Sequence, residues 1–172
     1  MKIIDNFLQE VTSSFHLFLD LDGVLVDWDR GIEALGYGTV EEIKNKHGTD
    51  FIWKLLSKEG ESFWKNLEWT QDGKQLWEFC QPFHPTILSA PTNDNSSRTG
   101  KIIWVKQHLG PDVKLILEKS KDKHKHAKPG YILIDDRPEN IKDWRKHVGG
   151  GIGILHKNAE DTISNLKKIL KK

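Results

Sequence analysis

Two stretches of the chain run apolar and then stop on paired carboxylates. Residues 15 to 19 form a short hydrophobic run that predicts a buried strand, and it delivers Asp20 and Asp22 before Gly23 breaks the pattern. Residues 131 to 134 form a second run, which ends in Asp135 and Asp136. Residues two apart on an extended chain point to the same side. Like charges gathered at the mouth of a buried strand repel one another and lose water, a cost that a fold must offset. A hard divalent cation with oxygen ligands removes it, and Mg²⁺ fits best. In an open parallel sheet, ligands bind beyond the carboxyl ends of the strands, where neighbouring connections diverge. The two acidic pairs therefore predict a single metal-binding site. Asp20 taken alone also reads as a turn residue, because Asp-Gly favours turns. The second pair tips the balance to the metal.

Strand and helix patterns alternate from residue 86 onward. Residues 86–90 read as a strand and 100–108 as a helix stopped by Gly110-Pro111. Residues 113–117 and 131–135 read as strands, 138–147 as a helix with Pro near its start, and 151–155 as a short strand. Asn158 can cap a last helix reaching Lys172, with acids in its first turn and lysines in its last. Such alternation argues for a parallel α/β sheet. Residues 28–80 differ. They are charged, show helical periodicity around 40–47, 51–58 and 73–80, and hold five of the seven tryptophans: Trp28, Trp53, Trp64, Trp69 and Trp77. This predicts a small helical cap over 28–80, inserted into a core made of 1–27 and 81–172. The first residues carry acids among their apolar positions, lack a signal-peptide core, and read as a short helix packed on the domain.

Composition narrows the partners more than the fold. A chain of 172 residues suits one domain with a small insertion. Lys and Arg total 26 against 25 for Asp and Glu, so no net field favours a nucleic acid. The single Cys80 excludes an intramolecular disulfide and fits a reducing compartment. No apolar run approaches membrane-spanning length. The expectation is a cytoplasmic protein that acts on a small molecule and has no membrane partner.

Three segments resemble a known family. Asp20-Leu21-Asp22-Gly23-Val24 resembles the first motif of the haloacid dehalogenase (HAD) superfamily of phosphotransferases, Ile87-Leu88-Ser89 its second, and Ile132-Leu133-Ile134-Asp135-Asp136 its fourth. Order and spacing match over residues 15 to 140. Within that superfamily, the extension to Asp27-Trp28, Ser89-Ala90-Pro91, the run from Trp104 to Pro111, and Asp136-Arg137-Pro138 are similar to the 5'(3')-deoxyribonucleotidases and their phage and bacterial relatives. The resemblance implies a HAD-like, Rossmannoid three-layer parallel sheet with a small helical cap inserted after the first strand. It also implies Mg²⁺-dependent hydrolysis of (deoxy)nucleoside monophosphates through an aspartyl-phosphate.

Roles follow from the same resemblance. Asp20 becomes the nucleophile and Asp22 the acid and base. Asp20, the backbone carbonyl of Asp22, and Asp135 hold Mg²⁺, with Asp136 a ligand through water or a support to the others. Ser89, with Ala90 beside it, meets the phosphate. The family also needs a lysine before the fourth motif, and Lys119, Lys121, Lys123, Lys125 and Lys128 compete for that place. The stretch 122–127 matches the relatives best with Lys123, and Lys125 is second. Trp28 stands where the deoxyribonucleotidases place an aromatic against the base, and stacking there contributes ~1–3 kcal/mol.

Blander readings stand beside these. Ser89 can bond locally at a strand end. The tryptophans can form the cap's own core; Trp53 and Trp69 are assigned to it, Trp28 to the substrate, and Trp64 is left open. Arg137 either closes over phosphate or pairs with Asp136. His124 and His126 have a spacing that suits a metal, but with no Cys or third His nearby they read as surface residues. The loop 91–97 has no counterpart in the relatives and stands where it can touch the substrate. Residues 35–60 do not align with the vertebrate enzymes, so the nucleoside is not set. The competing function is a HAD phosphatase for a sugar phosphate or a polynucleotide 3'-phosphate. A non-catalytic binding module is disfavoured, because every expected catalytic position is filled.

Overall fold

A computed structural model describes residues 15–171. The helix expected at the start of the chain lies outside the described residues. Five strands form one parallel sheet: β1 (His16–Leu19), β2 (Thr86–Ser89), β3 (Leu115–Leu117), β4 (Tyr131–Asp135) and β5 (Ile152–Leu155). Their order is β3-β2-β1-β4-β5. The chain thus builds β2 and β3 on one side of β1, then crosses to place β4 and β5 on the other. Connections diverge between β1 and β4, and that is where a crevice opens at the carboxyl ends.

Period-two alternation sorts the strand side chains into two apolar layers. Leu17, Leu19, Ile87, Ile132 and Ile134 join the larger cluster on one face. Phe18, Leu88 and Leu133 point to the other, where they meet Ile141 and Trp144. Strands β1, β2 and β4 are covered on both faces, which explains why they read as unbroken hydrophobic runs.

Five helices occupy the segment between β1 and β2: α1 (Trp28–Glu33), α2 (Val40–His47), α3 (Thr49–Glu59), α4 (Glu61–Lys65) and α5 (Gly73–Cys80). Thr39 and Glu42 start α2 with a reciprocal capping box. The remaining helices are α6 (Asn95–His108), α7 (Pro138–Lys146) and α8 (Ala159–Leu170). Asn158 caps α8 as expected, its side chain accepting the Asp161 N–H at 2.8 Å. Helix α5 packs on α8, and Asp72 at its start accepts the Ala159 N–H at 2.5 Å. Helix α4 packs closely on α6. A Cβ on Gly100 would strike Trp64 and come within 2.9 Å of the Glu61 carbonyl. Glycine is required there because two backbones meet.

Several element ends differ from the sequence reading by one residue or more, the start of one helix by five. Helix α6 begins at Asn95 and not at residue 100, because the Asp94 side chain accepts the Ser96 N–H at 2.8 Å and turns the polar run after it into a first helical turn. Strand β3 begins at Leu115 and not at residue 113. Among the described residues, no helix is long and apolar enough to cross a membrane.

Candidate active site

Asp20 continues the β1 ladder by one step, its N–H donating to the Ile134 carbonyl at 2.9 Å. That register sets it beside Asp135, the last residue of β4. The chain then turns tightly: the Leu21 carbonyl accepts the N–H groups of Leu25 at 2.8 Å and Val26 at 2.9 Å. Gly23 sits in this turn at φ +73°, and a Cβ on it would collide with the Asp136 carboxylate. Here the glycine serves both the turn and the close approach of the two acidic segments.

Asp20, Asp135 and Asp136 each offer a carboxylate oxygen within 4.8 Å of the others. Burial pushes the Asp135 carboxyl up, Asp20 pushes it further, and Lys123 with the Arg137 N–H pulls it down. Asp136 opens onto the cavity, yet loss of water and the charges of Asp20 and Asp135 push its carboxyl up to about 7. These carboxylates resist sharing the space unless positive charge joins them. Three hard oxygen donors fit Mg²⁺, and Asp20, Asp135 and Asp136 are the side chains that would hold it.

Lys123 supplies part of the missing charge. Its ammonium lies 2.7 Å from Asp20 Oδ2 and 2.7 Å from Asp135 Oδ2, in a side chain only 1 % exposed. Burial acts to lower its pKa, but the two carboxylates outweigh burial and hold it above the ordinary lysine value. The 3₁₀ turn from Ser120 to His126 carries it inward. Lys121 and Lys125 stay outside, Lys125 paired with Asp122 at 2.8 Å. Lys119 is exposed but lines the cavity. His124 and His126 are half-buried and not plain surface residues: His124 packs on His147, and His126 on Phe18.

Two polar residues that hold this centre were not singled out in the sequence. Asn140, on α7, donates to both oxygens of Asp135 at 2.9 Å and accepts from the Ser120 hydroxyl at 2.8 Å. Lys101, on α6, is also 1 % exposed. Its ammonium donates to Asp22 Oδ2, to Ser89 Oγ at 2.9 Å and to the Ala90 carbonyl at 3.0 Å. Ser89 is therefore wholly buried and bonded to Lys101, while Ala90 lines the cavity. Asp22 is pushed up by burial, against the pull of Lys101. Its second oxygen, Oδ1, is buried with no partner among the described residues.

A cavity of about 1490 Å³ opens above these groups and runs out beneath α1, α2 and α3. Trp28 and Trp53 line its outer part, with ring centroids 6.3 Å apart. This corrects the assignment of Trp53 to the core, since it is 45 % exposed. The buried stripe of α3 is Ile52, Leu55 and Leu56, and helical spacing turns residue 53 away from it. Trp69 is half-buried against Trp104 at 4.9 Å. Trp64 is buried and also borders the cavity. Arg137 lines it beside Asp136, and among the described residues the two form no ion pair. From the loop expected near the substrate, Pro91, Thr92, Asn93 and Ser96 reach the wall.

No protein-family model matches the chain, and neither does any curated protein. Among solved structures it is similar to a HAD-superfamily hydrolase from Ehrlichia chaffeensis, at 11 % identity over 90 % of this chain and 97 % of that one, with a TM-score of 0.47. It is also similar to a hydrolase from Streptococcus pneumoniae TIGR4, at 14 % identity over 92 % of this chain and 100 % of that one, with a TM-score of 0.43.

Proposed function

We propose that the chain is a Mg²⁺-dependent phosphomonoesterase of the HAD type that hydrolyses nucleoside monophosphates through an aspartyl-phosphate on Asp20. The observation that carries this reading is the convergence of Asp20, Lys123 and Asp135 at the topological switch of the sheet, with contacts of 2.7 Å on either side of the ammonium. Phosphate monoesters resist attack because an anionic nucleophile must approach an anionic centre, so positive charge at that point lowers the barrier.

The Asp20 carboxylate attacks phosphorus, and the phosphorus–ester oxygen bond breaks. Asp22 gives its proton to the departing oxygen, then takes one from the water that cleaves the aspartyl-phosphate. That second step releases inorganic phosphate and restores Asp20. Lys123 directs two of its three N–H groups at Asp20 and Asp135, which leaves one for a phosphoryl oxygen. Asn140 and the Arg137 N–H hold Asp135 in a fixed orientation. Bound Mg²⁺ supplies further positive charge for the transferring group.

Trp28 and Trp53 support a nucleoside as the leaving group, since a base offers a flat face to either indole. Acidic side chains around the outer cavity, Asp29, Glu33, Glu41 and Asp94, argue against a long polyanion. A sugar phosphate is the second reading. Thr39, Asn45 and Ser57 on the same wall favour it, because hydroxyl-rich ligands need such partners. Phosphate release measured across nucleoside and sugar monophosphates, with Mg²⁺ and with excess chelator, tests both. Nucleoside monophosphates should be the fastest substrates, and turnover should vanish in chelator. Equal rates across the panel would leave the two indoles without a role, and full activity in chelator would remove the metal from the mechanism.

A further inference from the structure

We propose that Lys101 is a positioning residue that anchors the Asp22 carboxyl in the orientation from which it exchanges a proton with the leaving group. The inference rests on the phosphomonoesterase reading above, and it concerns a side chain for which the motifs provide no role.

Lys101 sits on the buried face of α6, the face of Ser97, Gly100, Trp104 and Val105. A lysine in that stripe needs full compensation, because an unpaired buried ammonium is costly. It has three N–H donors and no acceptor, and it meets three acceptors: Asp22 Oδ2, Ser89 Oγ and the Ala90 carbonyl. No donor is left for a phosphate. Lys123 differs, since only two of its three donors are engaged. The two buried lysines thus divide the work: Lys123 can touch the transferring group, and Lys101 acts through its partners.

Three contacts fix the ammonium. Trp64 lies beneath it, 5.2 Å from ring centre to Nζ. Gly100, the preceding residue, lets α6 approach α4 closely enough for this. With Oδ2 bound to this fixed ammonium, the Asp22 carboxyl, 29 % exposed at the cavity, is held in one orientation. Ser89 is oriented by the same logic. Its oxygen accepts from Lys101, so its own O–H proton is directed elsewhere.

The leaving group distinguishes this role from a merely structural one. An alkyl ester departs with difficulty unless it is protonated, whereas p-nitrophenolate departs without a proton. In Lys101→Met the apolar stem is kept and the anchor removed. In single-turnover measurements of ester cleavage, which isolate the first step from the shared hydrolysis of the aspartyl-phosphate, cleavage of a nucleoside monophosphate should then slow about a hundredfold more than cleavage of p-nitrophenyl phosphate. Asp22→Asn should show the same selective loss, and adding Lys101→Met to it should cost little more on the alkyl ester. Should Lys101→Met fail to fold, Lys101→Gln is read in the same way, with the melting temperature as the check. Equal losses on both esters in a folded variant, with Asp20→Asn inactive, would overturn the role of Lys101 and leave the chemistry at Asp20 standing. Activity surviving in Asp20→Asn would overturn both.

Discussion

The ammonium of Lys123 lies 2.7 Å from Asp20 Oδ2, and both side chains are buried. Removing one partner from such a buried pair leaves an uncompensated charge, at a cost of about 3–5 kcal/mol. Lys123→Met should lower the melting temperature and reduce turnover by two or more orders of magnitude. Lys121→Ala and Lys125→Ala, both exposed, should stay within about 0.5 kcal/mol of the parent. Thermal melts and phosphate release on the three variants check this. A severe Lys125 variant would shift the catalytic role along the chain by two residues.

Asp20→Asn keeps the shape of the proposed nucleophile and removes its charge. Turnover should disappear. Without metal, stability should hold or rise, because Asp20 is a cause of the raised carboxyls of Asp135 and Asp136. One opposing effect is the lost partner of Lys123, which still keeps Asp135. A metal-free melt alongside an activity assay decides the matter, and a folded variant with substantial turnover would remove Asp20 from the mechanism.

The carboxyl of Asp136, raised to about 7, predicts a pH dependence of stability with a definite sign. Between its ordinary value and about 7 the folded chain binds more protons than the unfolded one. Stability from this group is therefore present at low pH and lost as pH rises through about 7. Asp136→Asn should raise the metal-free melting temperature more at about pH 8 than at about pH 5.5. Comparing variant with parent cancels the contribution of His16, His108 and His156. Desolvation lowers the pKa of all three, so they act in the opposite direction. A difference independent of pH would mean that Asp136 titrates normally.

Trp53→Ala and Trp28→Ala should each slow a nucleoside monophosphate more than a small phosphate ester. Stacking of ~1–3 kcal/mol corresponds to a loss of roughly five- to a hundredfold, confined to substrates with a base. Trp53 is exposed, so its variant should melt close to the parent, whereas the half-buried Trp28 also caps packing around α1. Specificity constants on the two ester classes separate substrate contact from structure. Equal losses in folded variants would assign both indoles to packing.

The sheet and its acidic mouth were legible in the sequence because β1 and β4 are apolar runs that end abruptly in carboxylates. The positions of Asp20, Asp135 and Asp136 follow from that pattern and from parallel pairing. Lys101 was not legible in the same way, as it looks like one more polar residue in a helix. Its signal was positional: it falls on the face of Gly100, Trp104 and Val105, where a lysine has no access to water. Trp53 was misplaced for the converse reason. Its size suggested a core, while the spacing of Ile52, Leu55 and Leu56 already faced it outward. The start of α6 was missed because Asn, Ser and Thr favour loops and caps alike, and only the Asp94 bond decides between them.

The glycine contact between α4 and α6 gives the two walls of the cavity different tolerance to change. Any side chain at position 100 would push α4, and Trp64 with it, away from α6 and Lys101, so the inner wall is fixed by the same packing that surrounds the proposed proton-transfer residues. The outer wall is made from exposed positions on α2 and α3, among them Glu41, Lys44 and Trp53, which touch no buried ammonium. On the proposed function, substrate range and chemistry are therefore separable by mutation. A library confined to those outer positions would explore new leaving groups on an unchanged phosphoryl site, while even a single methyl group added at Gly100 would alter the reaction for every substrate at once.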